Sequence, residues 1–350
     1  MPRKISIAAV QMDANPALTT ERLVRADRLV TQAAQAGAQL VVLPELFNTG
    51  YGYDEVNYSL VELPDGPTAT WMKESAARLN VHLGGSLMLW DQGQVYNALL
   101  LFAPDGRIWR YDKSYPWAWE RSYFRNGSRA VVAETDLGDL GLMICWDVAH
   151  LDLWKRYAGR VDMIVISSCP PDVSNPTFHF LSGDQLTFEE MGRGMAALKG
   201  VGGLTFGDVI NQQAAWLGVP AVNTVGSGQI QTYLPNGLAT LIAFLPAAPK
   251  LLKYLPQASQ VQMSCQLVPG CKVVGANGRV LTELTQAQGE AFTVAEVRLA
   301  DDRPSPGRSQ PASPVPWIAY LISDVLLPLL SIPVYRKGIR RARREGAGRD

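Results

Sequence analysis

Three stretches far apart in the chain each deliver a single reactive side chain where a strand-like run gives way to a loop, and this constrains the fold more than any other feature. The run Gly141-Leu142-Met143-Ile144 ends at Cys145, with Trp146 and Asp147 following at once. Leu40-Val41-Val42-Leu43 stops at Pro44 and delivers Glu45, and the aromatic-rich stretch Arg110-Tyr111-Asp112 delivers Lys113. Short apolar runs bounded by polar breaks read as buried strands. A strand that turns sharply into a helix can hold its last side chain over a cleft, and loops at strand ends are where an α/β scaffold presents its chemistry. A lone cysteine reads as a small buried hydrophobe; one accompanied by a carboxylate and an ammonium at strand ends reads as a nucleophile.

Periodicity along the chain agrees with such a scaffold. Ile5–Gln11 predicts a strand. Leu23, Ala26, Val30 and Ala33 recur at helical spacing from a start at Asn15-Pro16 until Gly37, and Val41–Leu43 predicts the next strand. That β-α-β order implies a parallel pair with a crossover helix. A second helix from Asp65-Gly66-Pro67 to Leu79 is followed by strands over 82–90, 96–102 and, through the turn Pro104–Arg107, 108–111, which makes the sheet mixed. After Cys145 come a helix over 150–158 and a strand over 161–167. Residues 172–215 carry seven glycines between Gly183 and Gly207 and read as loop-rich, with a helix over 211–217. Val219–Val225 reads as one strand. Lys272–Gly275, Val280–Leu284 and Ala291–Val297 form the last set, with Asn277-Gly278 as a hairpin turn.

Composition narrows the function classes. With 350 residues, 47% hydrophobic and 18% charged, the chain can bury a large core. Its formal net charge is zero, so no global basic field recruits nucleic acid. The four cysteines show no CxxC spacing and there are three histidines, a pattern that predicts neither metal nor cofactor. His82, His150 and His179 have no partner spacing and receive no role. A required free thiol, and a start at Met1–Val10 that runs straight into strand-like sequence, favour the cytoplasm.

The ordered Glu45, Lys113 and Cys145 set resembles the Glu-Lys-Cys triad of the nitrilase superfamily of carbon-nitrogen hydrolases, in its amidase-like branch, over roughly residues 4–299. The resemblance implies an α/β fold, a four-layer α-β-β-α sandwich, where the residues alone imply two or three layers. It also implies a homodimer or higher homo-oligomer, and a hydrolase domain over 1–300. Glu120, in Pro116-Trp117-Ala118-Trp119-Glu120, resembles a second glutamate that many members place after the lysine, to position substrate or steady Lys113. In this chemistry Glu45 is the general base, Cys145 attacks the carbonyl carbon, and Lys113 with the Trp146 N–H stabilises the oxyanion. The resulting thioester is hydrolysed by water. The Lys113 charge is expected to favour the thiolate. Phe47, Tyr51, Trp117 and Cys169 are candidate pocket residues, and Asp147 is expected to brace the elbow.

Cys-Trp-Asp at the elbow resembles amidases and carbamoyl hydrolases more than nitrile-cleaving members, so the expected substrate is an amide or carbamoyl amide. A nitrile substrate or acyl transfer to an amine are the alternatives within the family. A non-enzymatic scaffold of the same fold would not need all three reactive residues.

Two apolar additions stand out. One is an insertion over about 231–262, with Gly237–Leu245 and Leu251–Leu255 broken by prolines. The other is the segment 301–350: a linker at Asp301–Gly307, an apolar stretch Val315–Tyr335 and a basic tail Arg336–Arg349. Asp324 would cost about 2.5–3.5 kcal/mol at a bilayer centre, and Pro328 and Pro333 are expected to interrupt a helix. An amphipathic helix lying in the headgroup region is therefore expected. Tyr320, Ser323 and Asp324 share one face, Trp317, Ile318, Leu321, Ile322, Val325 and Leu329 cover most of the rest, and residues 315–349 engage the membrane surface. The reading is a peripheral protein on the inner face of the cell membrane with a lipophilic amide substrate; docking of the segment on a partner subunit is the alternative.

Overall fold

The computed structural model of the chain describes residues 3–172, 176–192 and 198–345. Parts of the glycine-rich stretch (173–175 and 193–197), the last residues of the basic tail (346–349) and Met1 lie outside the described residues.

The first sheet follows the predicted order. β1 (Arg3–Asp13), β2 (Leu40–Val42) and β3 (His82–Asp91) run parallel, with α1 (Thr19–Gln35) and α2 (Pro67–Leu79) as the crossovers. β4 (Gln94–Phe102) and β5 (Ile108–Asp112) then return antiparallel. α1 begins at Thr19, later than the Asn15-Pro16 start. Its buried face carries Ala26, Leu29, Val30, Ala33 and also Arg22. The Arg22 guanidinium donates to the carbonyls of Phe47 (2.6 Å) and Asn15 (2.8 Å), and so ties down the loop that follows Glu45.

The second sheet contains β6 (Val132–Thr135), β7 (Gly138–Ile144) and β8 (Met163–Ser167), then β11 (Ala221–Asn223), β15 (Cys271–Val274) and β16 (Val280–Leu284). α3 (Leu151–Tyr157) and α4 (Ile210–Leu217) cover its outer face. Strand alternation sets the layers. Ile5, Ile7 and Ala9 of β1 share a core with Leu142 and Ile144 of β7, between the sheets. Ala8, Val10 and Met12 point the other way and meet Ala26, Val30, Met72 and Ala76 of the helices. The order is therefore helix, sheet, sheet, helix.

Four expectations are corrected here. Val219–Val225 is not one strand: β11 pairs with β8 in the second sheet, whereas β12 (Val225–Ser227) pairs with β1 in the first. Thr224 makes the switch, with its N–H donating to Ile166 and its hydroxyl 3.3 Å from the Leu43 carbonyl. Ser167 donates to that same carbonyl at 2.9 Å, so the two sheets are pinched together at the ends of β2 and β8.

The second correction concerns the glycine-rich stretch and the insertion, which together build a third sheet. β9 (Thr177–His179), β10 (Gln185–Thr187), β13 (Gln229–Tyr233) and β14 (Gln262–Gln266) pair in the order β10-β9-β14-β13. Strands this short leave little alternation for a sequence pattern to register. α5 (Gly237–Phe244) and a 3-10 segment over Pro249–Gln260 pack with them through Leu241, Phe244, Leu251 and Tyr254. One face of the apolar insertion is thus core, while Leu238, Ile242 and Leu252 stay exposed.

Third, the expected linker is not free. Gly307 and Trp216 exchange two hydrogen bonds, and Gln310 donates to the Leu151 carbonyl and to Gln213.

Finally, prolines do not interrupt the C-terminal helix, which runs Trp317–Arg344 and is long and apolar enough to cross a bilayer. A wide π turn over Leu321–Leu326 precedes Pro328, whose ring would otherwise press on the carbonyl one turn back. Ala319, Ser323, Leu327, Ser331, Ile339 and Ala342 face the body of the fold and are buried. Gly338 permits the closest approach, since a Cβ there would lie 2.0 Å from the Tyr58 ring. The outer stripe, Trp317, Leu321, Val325 and Leu329, is exposed and apolar.

Candidate active site

Glu45, Glu120 and Cys145 enter the site from strained turns, whereas Lys113 directly follows the end of β5. Pro44 has no N–H to continue the ladder, so β2 ends and Glu45 swings inward, its N–H donating to Ser168 (3.2 Å). The next residue, Leu46, has φ 52°, Ala118 before Glu120 has φ 47° and Cys145 itself has φ 48°. Left-handed backbone at a residue with a side chain costs of the order of 1–3 kcal/mol and persists only where packing enforces it. All three are buried.

The side chains converge. Lys113 Nζ donates to Glu45 Oε1 and to Glu120 Oε2, both at 2.7 Å and both fully enclosed. Asn97 Nδ2 donates to Glu45 Oε1 at 2.7 Å, and the Cys169 N–H donates to Glu45 Oε2 at 3.1 Å. The same N–H is close enough to Cys145 to be among the groups that pull its thiol pKa down. Glu120 is held in turn by the Tyr51 hydroxyl (2.6 Å) and the Trp117 N–H (2.9 Å). Asp147 braces the elbow as expected: it accepts from the Ile144 and Tyr115 N–H groups and from the Tyr111 hydroxyl.

Charge states follow from this packing. Burial alone would lower the Lys113 pKa, but Glu120 and Glu45 outweigh it and hold the ammonium well above its ordinary value. Burial raises Glu120, against the pull of Lys113 and with the push of Glu45. Cys145 is raised well above the usual thiol range by burial and by Glu45, and Lys113 offsets only part of this. Lys113 does favour the thiolate, as expected, but burial and Glu45 outweigh it, so at rest the sulfur keeps its proton.

The pocket expectations divide. Trp117, Trp146 and Cys145 line a cleft of about 30 Å³ together with Pro170, Pro171, Val201, Gly202 and Phe206. That is room for a water or two. Phe47 does not reach the cleft; it fills the core beside Trp71, with ring centroids 5.8 Å apart. Tyr51 lies behind the cleft on Glu120. Cys169 turns its sulfur toward Gly226 and contributes its N–H instead. Asn97 was missed, although it is the polar residue interrupting the apolar run of β4.

Asp324 was missed as a site residue because it comes from the C-terminal helix. It accepts from Trp146 Nε1 at 2.8 Å and lies 3.5 Å from His150 Nε2, and Tyr320 donates to the Ala149 carbonyl at 2.7 Å. The polar face of the helix therefore grips the residue next to Cys145. Asp324→Ala leaves the indole N–H without its acceptor, a loss of about 0.5–1.5 kcal/mol for a part-buried bond. With Trp146 shifted, kcat/KM is expected to fall roughly tenfold through KM, and Asp324→Asn, which keeps an acceptor, should restore most of it; steady-state kinetics of the pair measure this.

All four thiols are free and buried. Burial raises each of them, and Cys265 and Cys271 are pushed up to about 12. Unfolded thiols ionise near 8.5. Above that pH the unfolded chain sheds protons that the folded chain keeps, so stability is full below it and is lost as pH rises toward 12. Each thiol contributes up to about 1.4 kcal/mol per pH unit across that window. Denaturant melts at increasing alkaline pH should show the decline, and it should be smaller in Cys265→Ala.

Two sheets enclosing a thiol beside a carboxylate and an ammonium define the layered sandwich of a hydrolytic enzyme. A family model described as carbon-nitrogen hydrolase matches residues 6–189, and the chain belongs to that family. Among curated proteins, a nitrilase of Pyrococcus abyssi is 31% identical over 147 residues, covering 41% of this chain and 56% of its own. Omega-amidase NIT2 of Xenopus tropicalis is 31% identical over 168 residues, covering 45% and 60%. The chain thus spans somewhat over half the length of these relatives. Among solved structures, Saccharomyces cerevisiae Nit3, of the nitrilase superfamily, aligns with TM-score 0.62 at 19% identity, covering 85% of this chain and 90% of that one. An amidase from Nesterenkonia sp. aligns with TM-score 0.59 at 20% identity, covering 85% and 91%. The fold is the nitrilase-type α-β-β-α sandwich.

Proposed function

We propose that the chain hydrolyses a small amide with an apolar acyl group through a Cys145 thioester. The observation that carries this reading is the enclosed cluster around Glu45, whose carboxylate takes Lys113 Nζ at 2.7 Å on one oxygen and the Cys169 N–H at 3.1 Å on the other, and which is near enough to Cys145 to raise its pKa. A thiol that stays protonated at rest needs a base, and Glu45 is the one beside it. Glu45 takes the sulfur's proton as the sulfur attacks the carbonyl carbon. The oxygen gains negative charge facing Lys113 and the Trp146 N–H, which lies in the first turn after the elbow, where no intrahelical acceptor exists. Collapse breaks the C–N bond, and Glu45 passes its proton to the departing nitrogen. Water, deprotonated by Glu45, then cleaves the thioester to release the acid. Glu120 keeps Lys113 charged and aimed.

The cleft lining bears no charged side chain among the described residues, so an acyl chain with a distant carboxylate would find no partner there. In support, a mutant of the Nesterenkonia amidase carries the acetamide moiety of fluoroacetamide on its active-site cysteine. A nitrile substrate, as the name of the Pyrococcus relative suggests, or transfer of the acyl group to an amine would pass through the same sulfur. Mass spectrometry of the intact protein with short- and long-chain amides and nitriles tests the reading. An acyl mass on Cys145 that is absent in Cys145→Ala is expected, with acid and ammonia or amine as products. A nitrile as the sole reactive class, or a new amide as product, selects the alternatives.

The same reading places the protein peripherally on the cytoplasmic face of the cell membrane, as a homodimer of sandwiches. The support is the exposed apolar stripe Trp317, Leu321, Val325 and Leu329 on a helix whose polar face is already used by the enzyme. Truncation would disturb Trp146, so Trp317→Ser with Leu321→Ser is the better probe: sedimentation with vesicles should be lost while Trp146 stays docked. Sedimentation equilibrium tests the dimer.

A further inference from the structure

The outer stripe of the C-terminal helix continues past its apolar part. Leu329 is followed, at three- and four-residue spacing, by Ile332, Arg336 and Arg340. Ile332, Arg336, Arg340 and Tyr335 form one wall of a groove of about 620 Å³, and Arg121 and Arg125 stand on the other. Four guanidinium groups thus face one open space, two from the C-terminal helix and two from the segment that carries Glu120. Nearby carboxylates are engaged elsewhere: Glu55 by Lys337 and Arg341, Asp91 and Asp112 by Arg110. Among the described residues none of the four arginines has a carboxylate partner. Arg121 is nevertheless fixed, donating to the Phe124 carbonyl with its guanidinium 5.9 Å from the Tyr335 ring centroid. The Tyr335 hydroxyl donates in turn to Gln94 at 2.7 Å.

Unpaired, partly pre-set guanidinium groups suit phosphate, whose oxygens accept their paired N–H groups. A free phosphate would need only the arginines, yet this wall runs without a break into Leu329 and Val325, where acyl chains would lie. We propose that the groove seats the phosphate of an anionic phospholipid headgroup while the apolar stripe rests in the bilayer surface. The inference rests on the membrane reading above and gives it a stoichiometric site. Because Arg121 directly follows Glu120, a bound headgroup would also hold the turn that aims Lys113.

The test is sedimentation of the full chain with phosphatidylcholine vesicles, with and without phosphatidylglycerol, for wild type and for R336Q/R340Q. Wild type should bind the anionic vesicles more tightly, and the double variant should lose roughly 30-fold in that affinity, at about 1 kcal/mol per arginine. Inorganic phosphate should release wild type more effectively than chloride of equal ionic strength. Equal binding of wild type to both vesicles, unchanged in the variant, overturns the headgroup site and leaves the membrane reading intact. Failure to bind either vesicle overturns both. Saturable binding of inorganic phosphate that the variant loses, with no preference for phosphatidylglycerol, overturns the lipid assignment in favour of a soluble phosphate compound.

Discussion

Cys145→Ala should lower amide hydrolysis by on the order of 10⁴- to 10⁶-fold, the loss typical when a covalent nucleophile is removed, while unfolding within about 1 kcal/mol of wild type. The small stability change follows from the site: the thiol is buried and protonated at rest, with the Cys169 N–H near it. Glu45→Gln is the more informative companion. It keeps a carbonyl oxygen for Lys113 and Asn97 but cannot accept the sulfur's proton, so a loss of about 10²- to 10⁴-fold is expected. Raising the pH should not restore it, because burial keeps the Cys145 pKa well above the usual thiol range even when one carboxylate is gone. A variant that recovers activity between pH 8 and 10 would mean that the sulfur ionises unaided and that Glu45 acts only by position. Stopped-flow acylation rates across pH separate the two.

Lys113→Met should be the most damaging single change to the fold. Glu45 and Glu120 each place one oxygen 2.7 Å from the same ammonium, and all three groups are enclosed. Without the cation two carboxylates face each other away from water, and breaking a buried pair in this way costs about 3–5 kcal/mol. The sign of the pH dependence is specific. Burial and the neighbouring Glu45 charge raise the Glu120 pKa above its unfolded value near 4, and removing the ammonium takes away the strongest group that offsets them, so the deficit is full at neutral pH and shrinks as pH falls toward that value. Denaturant melts at pH 5 and pH 8 should therefore differ more for the variant than for wild type. Lys113→Arg is not expected to rescue, because a planar fork cannot take the place of a compact ammonium between two carboxylates at this distance.

Several parts of the molecule were open to reading from sequence because their determinants are local. The β1–α1–β2 crossover shows in spacing alone, and so do the hairpin at Pro104–Arg107 and the turn at Asn277-Gly278, where Gly278 adopts φ 77°. The site-bearing elbows were visible as well, since apolar strands that end on Glu45 and Cys145 leave those side chains few places to go. Phe47 shows the limit: following Glu45 in sequence suggested the cleft, but Leu46 at φ 52° turns the chain and sends the ring into the helix-covered core. The switch at Thr224 was hidden for the same kind of reason. An unbroken strand and two strands in different sheets have the same apolar pattern, and what divides them is the position of the Leu43 and Ile166 carbonyls, set by other strands.

The C-terminal helix divides along this line. Its amphipathic pattern follows from residue spacing, because helical geometry places Tyr320, Ser323 and Asp324 on one side whatever surrounds them. Spacing cannot say what that side touches. Trp146, His150 and the Ala149 carbonyl lie far away in the chain, and folding alone brings them under it. The sequence by itself determined the strands and crossover helices of the first sheet, the reactive residue types and the order in which they appear. Tertiary structure alone decided that burial and Glu45 hold the Cys145 thiol above its usual range and that the C-terminal polar face grips Trp146, because protonation depends on neighbours packed from several elements and a helix face takes its partner from whatever surface folding places beside it.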